Sequence, residues 1–283
     1  MCATAAHAVD FYADAIYWQA SETIDWSLTN NLSLPNQVIA YHTIDFDFAP
    51  GFRVGAGLHK NDWYGRAYYT HYNVKEKDSV QGNVISIFIP GKFAQALYNT
   101  GQVDFKIDFN MVDLDLYQQI QVGESLTLRP IVGLKAGTIN QQVNTRFQGG
   151  ITVLERVSND FTGFGPKVGI ESRWVFYQAH DVAYSIAAET STALMWGKWS
   201  ITDNMTQSNS SLPSSVQVGK RNMGAFEIQG LVGLNVHYKN ADLKIGYEAS
   251  NWFNQYQVFD DGTGTHSNDL VLQGLTAALT FHC

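Results

Sequence analysis

The feature that most constrains this chain is a two-residue alternation of apolar and polar side chains that recurs through most of its length. In the clearest instance, between Met223 and Tyr238, Phe226, Ile228, Val232, Leu234 and Val236 alternate with Glu227, Gln229, Gly233, Asn235 and His237. Successive side chains of a β-strand point to opposite faces, so the pattern describes a strand with one apolar and one polar face. The same alternation runs through 126–135, 164–174, 182–191, 243–248 and 274–282, and more weakly through 9–19, 52–59, 63–72 and 112–121. Ten strands are therefore expected.

The connections fall into two kinds. Short turns are expected at 59–62, 122–125, 178–181 and 239–242, and long segments at roughly 20–50, 73–104, 138–160, 198–222 and 254–268. Strict alternation of short and long connections, with an even strand count, puts both termini on the short-turn side. That is the layout of an up-and-down transmembrane β-barrel with short periplasmic turns and long extracellular loops. Pro130 and Pro166 fall inside expected strands, where each removes a ladder donor, and are expected at bulges or strand starts. The run Val84–Ile89, ahead of Pro90-Gly91, would give an alternative count of twelve strands if it paired with 102–109.

Alternation alone does not say which face is wet; composition does. Charged residues are only 16% of the chain, against about 25% in soluble domains. Hydrophobic residues reach 45%, yet no apolar run approaches the ~20 residues of a membrane helix. A closed barrel is the other way through a bilayer, because it pairs every backbone N–H and C=O internally. The polar faces are rich in Gly, Ser, Thr and Asn rather than Lys and Glu. Aromatics gather near strand ends, as interfacial girdles do: Tyr17 and Trp18, Trp63 and Tyr64, Trp174 and Phe176, Trp196 and Trp199, Tyr238, Trp252 and Phe253. A net charge of −8 without a Lys/Arg cluster excludes a phosphate-tracking nucleic-acid surface. Residues 1–8 lack the basic and apolar regions of an export signal and read as a leader remnant, with 9–283 as the barrel.

Catalytic signatures are missing. No His/Cys pair has zinc spacing, and there is no Gly-rich phosphate loop or Gly-x-Ser-x-Gly elbow. Asp260-Asp261-Gly262-Thr263-Gly264 reads as a plain turn, and His42, His71, His266, Asp45, Asp47, Asp260 and Asp261 as solvated loop residues at the outer rim. The expectation is a non-enzyme without metal or cofactor. The inward register is more informative. It carries Arg53, Arg66, Arg129, Lys135, Lys167, Arg173 and Lys244 with Asp10, Asp14, Asp113, Asp115, Glu171, Glu189, Glu227 and Glu248. Charges inside a barrel must be paired or hydrated, so they either line a pore for small solutes or ions or fill the lumen as ion pairs. Ten strands leave at most a narrow passage. Turn geometry places Lys135 near Asp113, and Arg173 near Glu189. Thr202–Ser215 reads as an exposed loop suited to adhesion, host-surface contact or antigenic display. Cys2 and Cys283 would lie on one oxidising side if the first and last strands pair, which makes a disulfide or a linked homo-oligomer an expectation to test.

The chain resembles the Legionella-type major outer membrane protein family, also seen in Chlamydia-like bacteria. The resemblance is carried in order by Ala15-Ile16-Tyr17-Trp18-Gln19-Ala20, Gly51-Phe52-Arg53-Val54-Gly55-Ala56-Gly57 and the segment Ser125–Leu134. It continues through Phe164-Gly165-Pro166-Lys167-Val168-Gly169, Trp252-Phe253-Asn254-Gln255 and Leu270–Thr276. It implies a porin-like, surface-exposed barrel in outer-membrane lipid, placed there by the barrel-assembly machinery. Such barrels usually end in an aromatic residue; here Leu275, Ala277, Leu279 and Phe281 keep the outward pattern, but Cys283 holds the last outward position.

Overall fold

A computed structural model describes residues 8–22, 24–31, 38–60, 62–87, 97–209, 214–260 and 264–283. The strands are β1 (Ala8–Ser21), β2 (Asp25–Asn31), β3 (Val38–Thr43), β4 (Phe48–Lys60), β5 (Trp63–Ser86), β6 (Tyr98–Gln118) and β7 (Ile120–Val122). They continue with β8 (Leu126–Gln148), β9 (Thr152–Ala179), β10 (Val182–Gln207), β11 (Ser214–Tyr238), β12 (Ala241–Asp260) and β13 (Gly264–His282). Ten of them, all but β2, β3 and β7, pair antiparallel in a ring, because β1 pairs with β4 on one side and with β13 on the other. Asp10 faces His282 across that closing seam. The β2–β3 hairpin hangs from the far end of β5. Short β7 carries the β6 ladder on against β8.

The tight turns lie where the alternation breaks, at 123–125, 180–181 and 239–240, and β4 and β5 are joined as closely, with residue 62 in a turn. Gly123, His180 and Lys239 take left-handed backbone there, which lets two strands reverse within a few residues. Pro130 and Pro166 sit within β8 and β9, not at bulges or strand starts. Each lies opposite an interruption of one ladder: pairing passes from Tyr117↔Ile131 to Ile120↔Leu128, and from Ala193↔Lys167 to Trp196↔Phe164. The missing proline donors thus fall where no partner asks for one. The twelve-strand alternative is not realised, since 84–86 end β5 and pair with β2, and 102–109 belong to β6; residues 88–89 lie outside the described ones.

The long segments are mostly not loops. β5 runs to 86, β8 to 148, β10 to 207 and β12 to 260, and their partners return just as far. Thr202–Ser215, expected as a loop, is strand over 202–207 and 214–215. A spanning strand needs ~9–11 residues, and β9 has 28. What changes along these strands is the sense of the alternation. At the short-turn end of β6, Val112, Leu114 and Leu116 are exposed outside while Asp113 and Asp115 are buried inside. Further along, Lys106 and Asp108 face out while Phe105, Ile107, Phe109 and Met111 are buried. β9 repeats the switch: Phe164, Val168, Ile170 and Trp174 form its apolar outer face, and beyond Phe164 the outer positions are Thr162, Asp160, Ser158 and Arg156. The first section matches hydrocarbon outside; the second matches water outside and an apolar core within. The inversion also corrects the girdle: Trp18, Trp199 and Trp252 are buried in the lumen, while Tyr17, Trp63, Trp174, Trp196 and Tyr238 are outside.

Candidate functional site

The lumen has two storeys. Within the apolar belt lies a charged chamber of about 560 Å³ that reaches the short-turn end. Alternation puts its charged residues on the inner face, and the barrel ring decides which of them meet. Arg53 (β4) reaches Asp14 on β1 at 3.2 Å and Glu248 on β12 at 2.8 Å. Arg66 (β5) lies 3.0 Å from Asp115, 3.4 Å from Glu171 and 3.3 Å from Glu189, tying β6, β9 and β10 together. Arg129 contacts Glu171 at 3.1 Å and Lys244 contacts Glu189 at 3.8 Å. Lys167 Nζ sits between Asp113 (2.9 Å) and Asp115 (3.1 Å) and donates to the Tyr68 hydroxyl at 2.9 Å. Lys135 lies between Asp113 (3.4 Å) and Glu227 (2.9 Å). All fifteen charged positions that the alternation directs inward face the lumen, and each of the seven cations among them contacts a carboxylate. An uncompensated charge on a side chain so little exposed would cost several kcal/mol, which is why the pairing is dense.

The expected Lys135–Asp113 contact is present. The expected Arg173–Glu189 contact is not. Arg173 pairs in register with Ala187, one step from Glu189, but its guanidinium turns to Asp242 at 3.2 Å while Glu189 is held by Arg66 and Lys244. Cross-strand register supplies neighbours; across a lumen, charges from strands far apart in sequence compete for them.

Above the chamber the lumen is closed by aromatic side chains. Phe109 on β6 and Trp252 on β12 stand five strands apart in the ten-strand ring, on opposite walls, and their ring centroids are 5.7 Å apart. Phe105 and Tyr256 repeat the contact at 5.9 Å, and Phe46 packs on Phe105 at 5.1 Å. Trp26 from β2 stacks into the same core against Phe147, so the first long segment folds into the mouth instead of over it. The whole layer is buried. Lys135 Nζ lies under the Trp252 ring at 5.6 Å, joining the two storeys.

The upper storey also holds acids the sequence reading passed over. Glu22 accepts a hydrogen bond from Gln141 at 2.6 Å, and Glu155 one from Thr145 at 3.2 Å. Both lie beyond the apolar belt, and burial pushes both carboxyls well above the usual range, with Asp203 adding to the effect at Glu155. His42 and His71, the described rim histidines, contact Thr29 at 3.0 Å and Asn110 at 2.7 Å. Asp261 and the side chains of Asp260 and His266 fall outside the described residues, as does Cys2; Cys283 is an exposed free cysteine. A further cluster at the short-turn mouth joins His237, Asp242 and His282, which the sequence shows only as two polar-face positions, His237 and His282, and a turn residue, Asp242.

The family model described as Legionella pneumophila major outer membrane protein precursor matches residues 2–283. No curated protein matches the chain. Among solved structures, the outer membrane protease OmpT of Escherichia coli aligns with 98% of this chain and 96% of its own at 9% identity and a TM-score of 0.47. A FadL homologue of Pseudomonas aeruginosa aligns with 98% of this chain and 90% of its own at 6% identity and a TM-score of 0.26. The Pseudomonas putida toluene transporter TodX aligns with 99% and 90% at 9% identity and a TM-score of 0.21.

Proposed function

This chain belongs to the Legionella pneumophila major outer membrane protein family, and from that premise we propose that it is a closed outer-membrane barrel serving as a surface platform, without a standing diffusion path. One observation carries the reading: Phe109 and Trp252 reach from opposite walls and touch, within a buried layer that crosses the lumen. The extension of the strands beyond the apolar belt, with Lys, Asp and Asn facing outward, supports a platform that stands in water above the bilayer. By the usual layout of such barrels the short turns are periplasmic, so the extended end is the cell-surface end, suited to host contact or display. In this reading the partners are outer-membrane lipid around the belt and the barrel-assembly machinery, and no catalysis is assigned.

The porin-like reading is favoured by a different observation, the charged chamber of about 560 Å³ in the membrane section. It requires the aromatic layer to part for small ions. Planar-bilayer recording of the refolded protein separates the two. The closed barrel gives no steady conductance, and Phe109→Ala with Trp252→Ala creates one. Stable channels from the wild type, with a reversal potential that moves on Glu248→Gln, would establish the pore instead. Topology is checked on intact cells lacking Cys2 and Cys283: an impermeant maleimide should label Asn209→Cys and spare Asn240→Cys.

A further inference from the structure

We propose that His237, Asp242 and His282 form a binding site for a borderline-soft divalent metal ion such as Zn²⁺ at the short-turn mouth of the barrel. Three consecutive strands supply one donor each. His237 ends β11, Asp242 opens β12 and faces His237 across the 239–240 turn, and His282 ends β13. The backbone N–H of His282 donates to Asn240 O at 2.8 Å, which brings the third strand to that turn. One donor atom from each residue lies within 4.8 Å of the other two. Two imidazoles and a carboxylate are the donor set that zinc sites with an open fourth position use.

The distances suit an ion. Two donors on a tetrahedral zinc, each at ~2.0–2.1 Å, stand about 3.3 Å apart. His237 Nδ1 is 3.3 Å from Asp242 Oδ1 and His282 Nε2 is 2.8 Å from Asp242 Oδ2, so each oxygen of the carboxylate faces one imidazole, and the three side chains need shift only slightly to share one ion. The surroundings resemble those of metal ligands. His282 Nδ1 lies 2.8 Å from Asp10 Oδ1 on β1, the carboxylate–histidine arrangement that orients a ligating imidazole and leaves its other nitrogen for the ion. Asn235 donates to Asp242 Oδ1 at 2.9 Å and Arg173 at 3.2 Å, which holds that carboxylate and leaves Oδ2 turned to His282. The two imidazoles are about two-fifths exposed and line the chamber, so an ion enters from the short-turn side. Among the described contacts the His237 side chain meets Asp242 and, at 6.2 Å between ring centroids, His282, and its Nδ1 is a buried polar atom without a hydrogen bond, which a metal ligand would explain. The ion would also join β11, β12 and β13 to β1 through Asp10, at the seam where the barrel closes.

The test is calorimetric titration of Zn²⁺ into the refolded full-length protein after chelator treatment, alongside its thermal unfolding. The wild type should bind one equivalent, and its unfolding temperature should rise with added Zn²⁺. His237→Ala, which disturbs the fold least, and His282→Ala should each weaken binding at least 100-fold, and Asp10→Asn about 10–100-fold, as loss of an orienting partner does. A heat-modifiable gel band shows that each variant is folded. Absence of saturable binding by the wild type overturns the proposal. So does unchanged affinity in folded His237→Ala and His282→Ala, or binding that disappears only with Cys283→Ser, which would place the ion on a thiol.

Discussion

Lys135 on β8 and Asp113 on β6 are direct cross-strand partners, with Nζ 3.4 Å from Oδ1, and both are almost fully buried in the lumen. Lys167 shares Asp113 from the next strand at 2.9 Å, so two ammonium groups and the carboxylates of Asp113, Asp115 and Glu227 form one unit beneath the aromatic layer. Removing one member leaves the rest short of a charge, at about 3–5 kcal/mol. Lys167→Met should therefore lower the unfolding temperature of the barrel on a semi-native gel, and adding Asp115→Asn should restore part of it. A double variant as unstable as the single one would show that the two charges do not compensate each other.

Arg173 discriminates between sequence register and tertiary contact. A double-mutant cycle of Arg173→Ala with Asp242→Asn should give a coupling of about 1 kcal/mol or more, while the cycle with Glu189→Gln should stay within about 0.5 kcal/mol. Urea unfolding in detergent measures both, and the reverse order would mean that the guanidinium turns to its strand neighbour.

Stability should fall as pH rises through the acid range. Glu22 and Glu155 hold their protons in the folded state above the unfolded value of 4.5. The folded state therefore binds more protons than the unfolded one between 4.5 and the raised values, so unfolding free energy decreases with pH across that window. Glu22→Gln with Glu155→Gln should flatten the profile measured by thermal melts from pH 5 to 8. An unchanged slope in the double variant would place the titration elsewhere.

Gly197 is occupied by a neighbour. A Cβ built there would fall inside the Phe161 ring, which itself packs on Trp199 with centroids 4.5 Å apart. Gly197→Ala should cost about 1–3 kcal/mol, the usual range for overpacking, and Phe161→Leu should relieve it. Equal urea midpoints for wild type and Gly197→Ala would show that the ring moves aside freely.

Much of this molecule is legible in the residues alone. The alternation, the four short turns and the low charge content determine a membrane barrel, its strand number and the inward register of Arg53, Lys135, Glu171 and the rest. Neighbouring strands joined by a tight turn also determine a local contact, as with Asp113 and Lys135, because a period of two and a short turn leave little freedom of register. The extended strands look like loops in the sequence because the alternation there keeps its period but reverses its sense. Phe105, Ile107 and Phe109 look the same whether their face meets lipid or a core.

Only the tertiary structure decided what crosses the lumen. Arg53 and Glu248 are 195 positions apart in the chain, and no local pattern relates them. They meet because β1 pairs with β13 and bends ten strands into a ring narrow enough for opposite walls to touch. The same closed ring brings Phe109 against Trp252, turns Arg173 to Asp242 instead of Glu189, and sets Asp10 of β1 beside His282. Strand periodicity specifies a direction for each side chain; the curvature and register of the closed sheet specify what lies in that direction.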